Sequence, residues 1–476
     1  MSVPLDLAIR GGTVVTAADM VRADVGVRDG KVVALAASLP DAREEIDASG
    51  LLVMPGGVDA HCHLAQPSYG GVSCADDFES GTISALCGGT TTIMPFATQA
   101  RGERLRDVVD AYHARARGKA AGDYAFHLIL TDPTPQVLGQ DLPALIADGY
   151  TSFKLFLTYD GFHLQDNEVL NILEVAQEAG GLVMVHAENH DCIAFLAERL
   201  VRQGKTAPRY HADSRPQAVE REASHRAIAL AEVAAAPLFL VHVSAGEAIE
   251  QIAWARARGL PVFAETCPQY LFLAAEDMNR PGFEGAKFMC SPPPRDRANP
   301  EILWRALQND ILQVVSSDHS PSRFEGPDGK KAHGEHAPFT EIANGIPGLE
   351  TRLPLLFSEG VNGGRFDACR FVALTATNPA RIYGLYPQKG TIAVGSDADL
   401  VLWDAQREVT ITNADLHHNV DYTPYEGRRV TGWPVRTLLR GRTVWNDGQV
   451  LAEPGEGRFL PCGTPAPVLA QRAARP

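Results

Sequence analysis

Two histidines one residue apart, His61 and His63, close the run "PGGVDAHCH". Further along, His186 ends "LVMVH", His242 sits in "PLFLVHV", Asp318 follows "VVSS", and Lys154 lies inside "SFKLFLTY". On an extended strand, residues two apart point the same way, so His61 and His63 can grip one ion together. Imidazoles joined by a carboxylate form a nitrogen/oxygen donor set suited to zinc, manganese or iron. A single histidine in an apolar strand is ordinarily a satisfied core residue; here the shared strand-end placement argues for ligation. Asp318 has a plainer reading as a helix cap, but its place beside Ser316 and Ser317 favours ligation or proton transfer. His127, His190 and His319 are expected at the surface or behind the ligands. Cys62, between the paired histidines, is expected to point away from them.

Lys154 is the oddity, because an apolar, β-branched and aromatic run normally excludes a lysine. Taking an ammonium out of water costs several kcal/mol unless a partner compensates. A neutral amine can instead add carbon dioxide: the N–C bond forms, a proton leaves, and the resulting carbamate is an anion whose two oxygens can bridge two cations. The competing reading is a Lys154–Asp318 salt bridge, with a single metal held by histidines alone.

These residues must be positioned by strands whose ends converge. Eight apolar runs carry or neighbour them: "VMPGGVDAHCH", "TTTIMPFA", "AFHLILTD", "SFKLFLTY", "LVMVHAEN", "PLFLVHVSA", "PVFAETCPQY" and "LQVVSSDHS". Helical stretches such as "DLPALIADG" and "NEVLNILEVAQEAGG" separate them. That alternation predicts an α/β chain folded as a parallel (β/α)8 barrel, whose strand carboxyl ends share one face. An open doubly wound sheet is the structural alternative, but no glycine-rich phosphate loop follows the first strand. Short strand-like runs at both ends of the chain suggest one small β-sandwich built from the two terminal segments. Arg10-Gly11-Gly12 and Arg28-Asp29-Gly30 read as hairpin turns. The expected division is sandwich over 1–54, barrel over 55–384, sandwich again over 385–458, and an extended tail over 459–476 that covers a neighbouring subunit.

The chain has 476 residues, 45% hydrophobic and 21% charged, with a formal net charge of −15. Such an acidic balance argues against nucleic-acid or anionic-membrane partners. Eight cysteines stand singly, and the start "MSVPLDLAIRGG" shows no leader pattern, so a reducing cytoplasm is expected. The uncharged stretch from Ser80 to Ala100 contains Gly88-Gly89 and Pro95, and reads as helix, turn and strand rather than a membrane span.

With HxH, a strand lysine, two later histidines and a final aspartate in this order, the sequence resembles the binuclear amidohydrolase superfamily. "PGGVDAHCH", "FKLFLTY", "VHAEN", "ETCPQYL", "SPPPR", "SSDHSP" and "NGIPGLETRLPLLFSEGV" resemble its D-hydantoinase/dihydropyrimidinase family over about residues 5 to 455. The resemblance implies that His61, His63, carboxylated Lys154 and Asp318 hold one zinc, and that Lys154, His186 and His242 hold the other, with manganese as the alternative metal. It implies that Tyr159 hydrogen-bonds the developing oxyanion, that Asp318 carries the proton, and that backbone groups at Ser291 and Asn344 bind the substrate's cyclic amide. It implies a homotetramer or homodimer. Dihydroorotases carry an arginine two residues past the HxH and allantoinases an asparagine; this chain has Ala65, and so no cation for a substrate carboxylate.

The activity so implied is hydrolytic opening of a small cyclic amide, a hydantoin or dihydropyrimidine, to an N-carbamoyl amino acid. Another cyclic amidohydrolase (imidase, allantoinase or dihydroorotase-like) and a non-catalytic scaffold of the same fold are the alternatives. The loops "LAQPSYGG" and "SPSRFEGPDGKKAHGEHAP" depart from the family pattern at the barrel mouth.

Overall fold

The computed structural model describes residues 4–68 and 70–474. Its centre is a sheet of parallel strands, Gly57–Cys62, Thr90–Thr98, a broken third strand (Asp123–Tyr124 and His127–Ile129), Ser152–Phe156, Leu182–His186, Leu238–Leu240, Val262–Thr266 and Val314–Val315. Each pairs with the next in parallel register. The last meets the first where Asp318 N–H donates to His61 O at 2.9 Å and Cys62 bridges His319, so the eight runs close into a barrel. Leu182, Met184, Phe239 and Val314 fill its interior, while Leu155, Val183 and Val185 face outward onto the helices. The first connection is the helix–turn–strand expected for Ser80–Ala100. Helix Phe78–Cys87 is capped by Asp77 Oδ1, which accepts from the Glu79 and Ser80 amides, and a turn at Gly88-Gly89 leads into Thr90–Thr98. No helix among the described residues is long and apolar enough to cross a membrane.

Both chain ends supply two further sheets. One holds Lys31–Ala36, Asp24–Arg28, Leu5–Arg10 and Ala42–Asp47; the other runs from Gln449–Val450 through Leu400–Thr410 to Leu52–Pro55, Thr13–Val15 and Met20–Arg22. Leu7, Val25 and Ile46 of the first pack against Val53, Leu400 and Leu438 of the second. Lys389, buried between sandwich and barrel, is paired with Asp123 and Asp399 at 2.6 Å and Asp397 at 2.9 Å.

Two expectations need correction. Arg28-Asp29-Gly30 does turn a hairpin, with Asp29 and Gly30 at φ 52° and 73°, but Arg10-Gly11-Gly12 does not: the strands it joins lie in different sheets. A turn signal fixes that the chain bends, and tertiary pairing decides which sheet the next strand enters. The tail is not simply extended either, since Ala466–Ala474 is a helix. It lies under its own barrel, with Leu460 N–H donating to Tyr124 O, Cys462 N–H to Gly149 O, and Arg472 to Glu178 O. Leu460, Cys462 and Val468 thereby close the amino-terminal end of the barrel interior.

Candidate active site

The strand carrying His61 has an irregularity that aims it. Val58 and Ala60 pack inside the barrel with Met94 and Phe96, yet Cys62 packs outside with Leu64 and Phe78. Strict alternation forbids that; the pairing register shifts between Asp59 and Cys62, which turns His61 and His63 to the inner side. Cys62 points away from the cluster, as expected. At the other strand ends, His242 and Asp318 sit at φ 39° and 47°, and Ala65 and Tyr159 at 49° and 74°. Left-handed backbone at non-glycine residues is sterically costly, and its concentration around one mouth marks a functional locus.

The six candidate ligands converge there. Asp318 Oδ1 lies 3.2 Å from His61 Nε2 and 3.5 Å from His63 Nε2. The rings of His61 and His242 are 5.2 Å apart, and those of His186 and His242 4.5 Å. Lys154 Nζ stands 2.9 Å from His61 Nε2, over the faces of Phe96 and Phe156 at 4.4 and 5.0 Å. Among the described residues no carboxylate approaches that amine within 4 Å, so the alternative Lys154–Asp318 salt bridge is not formed. Burial drives the Lys154 amine down to about 8, with Asp318 and Glu265 opposing.

Two buried carboxylates that sequence reasoning passed over orient the histidines. Glu265 accepts from His61 Nδ1, from His242 N–H at 3.2 Å and from Ser316 Oγ at 2.6 Å. With Nδ1–H committed to Glu265, the His61 lone pair sits on Nε2 and faces Lys154 and Asp318. Glu188 Oε2 pairs with His186 Nε2 at 2.8 Å, which leaves His186 Nδ1 for the centre, and with Arg215 at 2.7 Å. Burial would raise the Glu188 carboxyl, but Arg215 and His186 outweigh it and hold it at about 2. The signal was in the sequence: "VHAEN" puts Glu188 two residues past His186, and "FAETC" puts Glu265 at the end of the seventh strand.

The donor set fits divalent cations. His61, His63 and Asp318 offer ligand atoms within 4.8 Å of one another, and the buried His242 Nδ1 has no hydrogen-bond partner among the described residues. Such a cluster of lone pairs, with burial holding the His61 and His242 rings well below their usual range, repels protons and suits an ion.

Tyr159 stands beside this cluster, its ring 5.2 Å from His186 and the Arg215 guanidinium 5.4 Å from its centroid. Burial pushes its phenol up, so it is a hydrogen-bond donor at neutral pH. Ser291 and the exposed Asn344 lie on segments joined by Gly345 N–H donating to Met289 O at 3.0 Å. Ser291 Oγ lies 3.3 Å from His211 Nε2. Two other histidines are not at the surface: His127 is wholly buried against Ala60 O and Ser152, and His319 against Asp76 at 3.0 Å. His190 stacks on His163 at 4.5 Å, partly exposed.

A closed parallel barrel with this donor set at its mouth defines an amidohydrolase, and residues 52–444 match the model of the amidohydrolase family. The chain is 46% identical over 457 residues to a D-hydantoinase of Ralstonia pickettii, covering 96% of this chain and 98% of that one. It is 47% identical over 463 residues to a D-hydantoinase of Streptomyces coelicolor, covering 96% and 98%. The crystal structure of a dihydropyrimidinase from Brevibacillus agri superposes with a TM-score of 0.93 at 44% identity, over 98% of this chain and 99% of that one. The chain belongs to the D-hydantoinase/dihydropyrimidinase branch of the amidohydrolase family.

Proposed function

We propose that the protein hydrolyses the ring amide of hydantoins and dihydropyrimidines, yielding N-carbamoyl amino acids. The observation that carries this reading is the Lys154 amine, buried among His61, His63, His186, His242 and Asp318 with no carboxylate oxygen among the described residues within 4 Å of it. Carbon dioxide converts that amine to an anion and removes the cost of burying a cation. His61, His63, Asp318 and the Lys154 carbamate would hold one Zn2+, and the carbamate with His186 and His242 the other; Mn2+ suits the same donors. When bound, the two cations supply Lewis acidity and make water a competent nucleophile at neutral pH.

The chain's own groups do the rest. Backbone groups at Ser291 and Asn344 hold the ring amide against the cluster. Asp318 accepts the proton of the attacking water and returns it to the ring nitrogen as the C–N bond breaks. Tyr159 donates to the carbonyl oxygen as it becomes a tetrahedral oxyanion. Glu265 and Glu188 keep the imidazoles in the required tautomers. Ala65 offers no charge at the loop after the first strand, in keeping with a neutral ring substituent. Eight singly spaced cysteines suit a reducing cytoplasm. Assembly as a homotetramer, or a homodimer, follows the resemblance.

Metal analysis with a panel of dihydrouracil, 5-substituted hydantoins, cyclic imides, allantoin and dihydroorotate tests the reading. The expected result is two equivalents of metal with ring opening of the first two classes. Two metals without opening of any ring would favour a scaffold, and preference for allantoin or dihydroorotate would place the chain with a sister activity.

A further inference from the structure

Two adjacent lysines in the loop after the last barrel strand have opposite surroundings. Lys331 is partly buried but ion-paired, 2.6 Å from Glu325 and 2.8 Å from Glu335. Lys330 is 1% exposed, and no carboxylate among the described residues lies within 4 Å of its amine. Among the described residues its Nζ donates only to main-chain carbonyls, to Ala343 O at 2.7 Å and to Met289 O at 3.4 Å. Those carbonyls come from two separate segments. Met289 lies two residues before Ser291, and Ala343 immediately precedes Asn344. One further bond, Gly345 N–H to Met289 O at 3.0 Å, joins the same segments.

The loop is built to deliver this side chain. Lys330 N–H donates to Arg323 O at 2.7 Å, folding the loop back on itself. The preceding Gly329 allows that approach, since a Cβ there would stand 2.5 Å from Arg323 O and 2.7 Å from Glu325 O. The loop also touches the one after the first strand, where Ser73 N–H donates to Asp328 O at 2.9 Å. Burial lowers the Lys330 amine to about 7 with only the Cys290 thiol opposing, so nothing ionic offsets the desolvation. An apolar side chain would fill the same space without that cost. What an apolar chain cannot do is donate to two carbonyls at once, which an amine does whether it is charged or neutral.

We propose that Lys330 is a positioning residue for substrate binding, its amine clamping together the two segments that present Ser291 and Asn344 to the ring amide. The inference rests on the ring-opening function proposed above. The clamp acts on groups that hold the ring in ground state and transition state alike, so its loss is a loss of uniform binding and shows in KM rather than kcat.

The test is steady-state kinetics of wild type, K330M and K330Q on a hydantoin, with bound metal and melting temperature measured in parallel. In K330M, KM rises about tenfold or more, while kcat stays within about twofold and metal content is unchanged. Glutamine keeps two N–H donors on a side chain one atom shorter, so K330Q gives a KM at least about threefold above wild type but below K330M. A K330M enzyme with wild-type KM, or one that loses kcat alone, overturns the proposal, as does K330Q no better than K330M. Should K330M not fold, K330Q decides, and a KM equal to wild type overturns it. A wild-type protein that opens none of the rings overturns the functional reading and this inference together; ring opening with an unaltered KM in the variants overturns this inference alone.

Discussion

Nζ of Lys154 faces Nε2 of His61 across 2.9 Å, and no carboxylate among the described residues stands within 4 Å of that amine. Two basic nitrogens in contact at the bottom of a buried cluster are the arrangement expected where the amine ends as an anion. Lys154→Met therefore loses both bound metal and turnover, and millimolar acetate or propionate restores part of each by standing in for the carbamate. Metal analysis and an assay with and without the acid check this. Full metal and full activity without added acid would sink the carbamate.

Glu265 fixes the His61 tautomer and the His242 backbone together. Glu265→Gln should weaken metal binding about 10- to 100-fold, the usual cost of losing a carboxylate behind a ligand histidine. At saturating metal most turnover returns. A metal titration with an activity readout checks both statements, and unchanged affinity contradicts the role.

Tyr159→Phe removes the hydroxyl proposed as the oxyanion donor and keeps the ring that packs against His186. The expected loss in kcat is about 10²- to 10³-fold. Metal content stays at the wild-type value. Turnover equal to wild type would remove Tyr159 from the chemistry.

Lys389 holds Asp123, Asp397 and Asp399 at the seam between sandwich and barrel, and Arg440 also reaches Asp123. Replacing it with methionine leaves buried carboxylates without their shared cation, at a cost of about 3–5 kcal/mol. Chemical denaturation should show a lowered midpoint in Lys389→Met, and a midpoint matching wild type would refute the estimate.

The barrel was legible because each strand is a short apolar run bounded by turn residues, and because the candidate histidines and Asp318 fall at the carboxyl ends of such runs. His61 and His63 were legible as a pair, although the shift that turns them inward is not: Val58 and Ala60 obey the opposite parity, and only the pairing with Thr90–Thr98 reveals the bulge. Glu188 and Glu265 were visible as letters but not as partners, since their roles depend on which ring nitrogen they meet across the barrel. The same holds for His127 and His319, whose burial comes from contacts distant in sequence. Nothing in the sequence separates Lys330 from its neighbour Lys331; their different surroundings depend on the fold-back to Arg323. The tail's helix was hidden by the prolines and glycines that precede it.

Leu52–Pro55 pairs with Leu400–Thr410, and a single residue, Gly56, separates it from the strand that carries His61. A Cβ at Gly56 would fall 2.1 Å from Thr91 Oγ1, so the link is tight, and its N–H is bonded to Asp399 O. Any change in how Leu52–Pro55 seats against Leu400–Thr410 is therefore passed straight along the chain to the strand that carries His61.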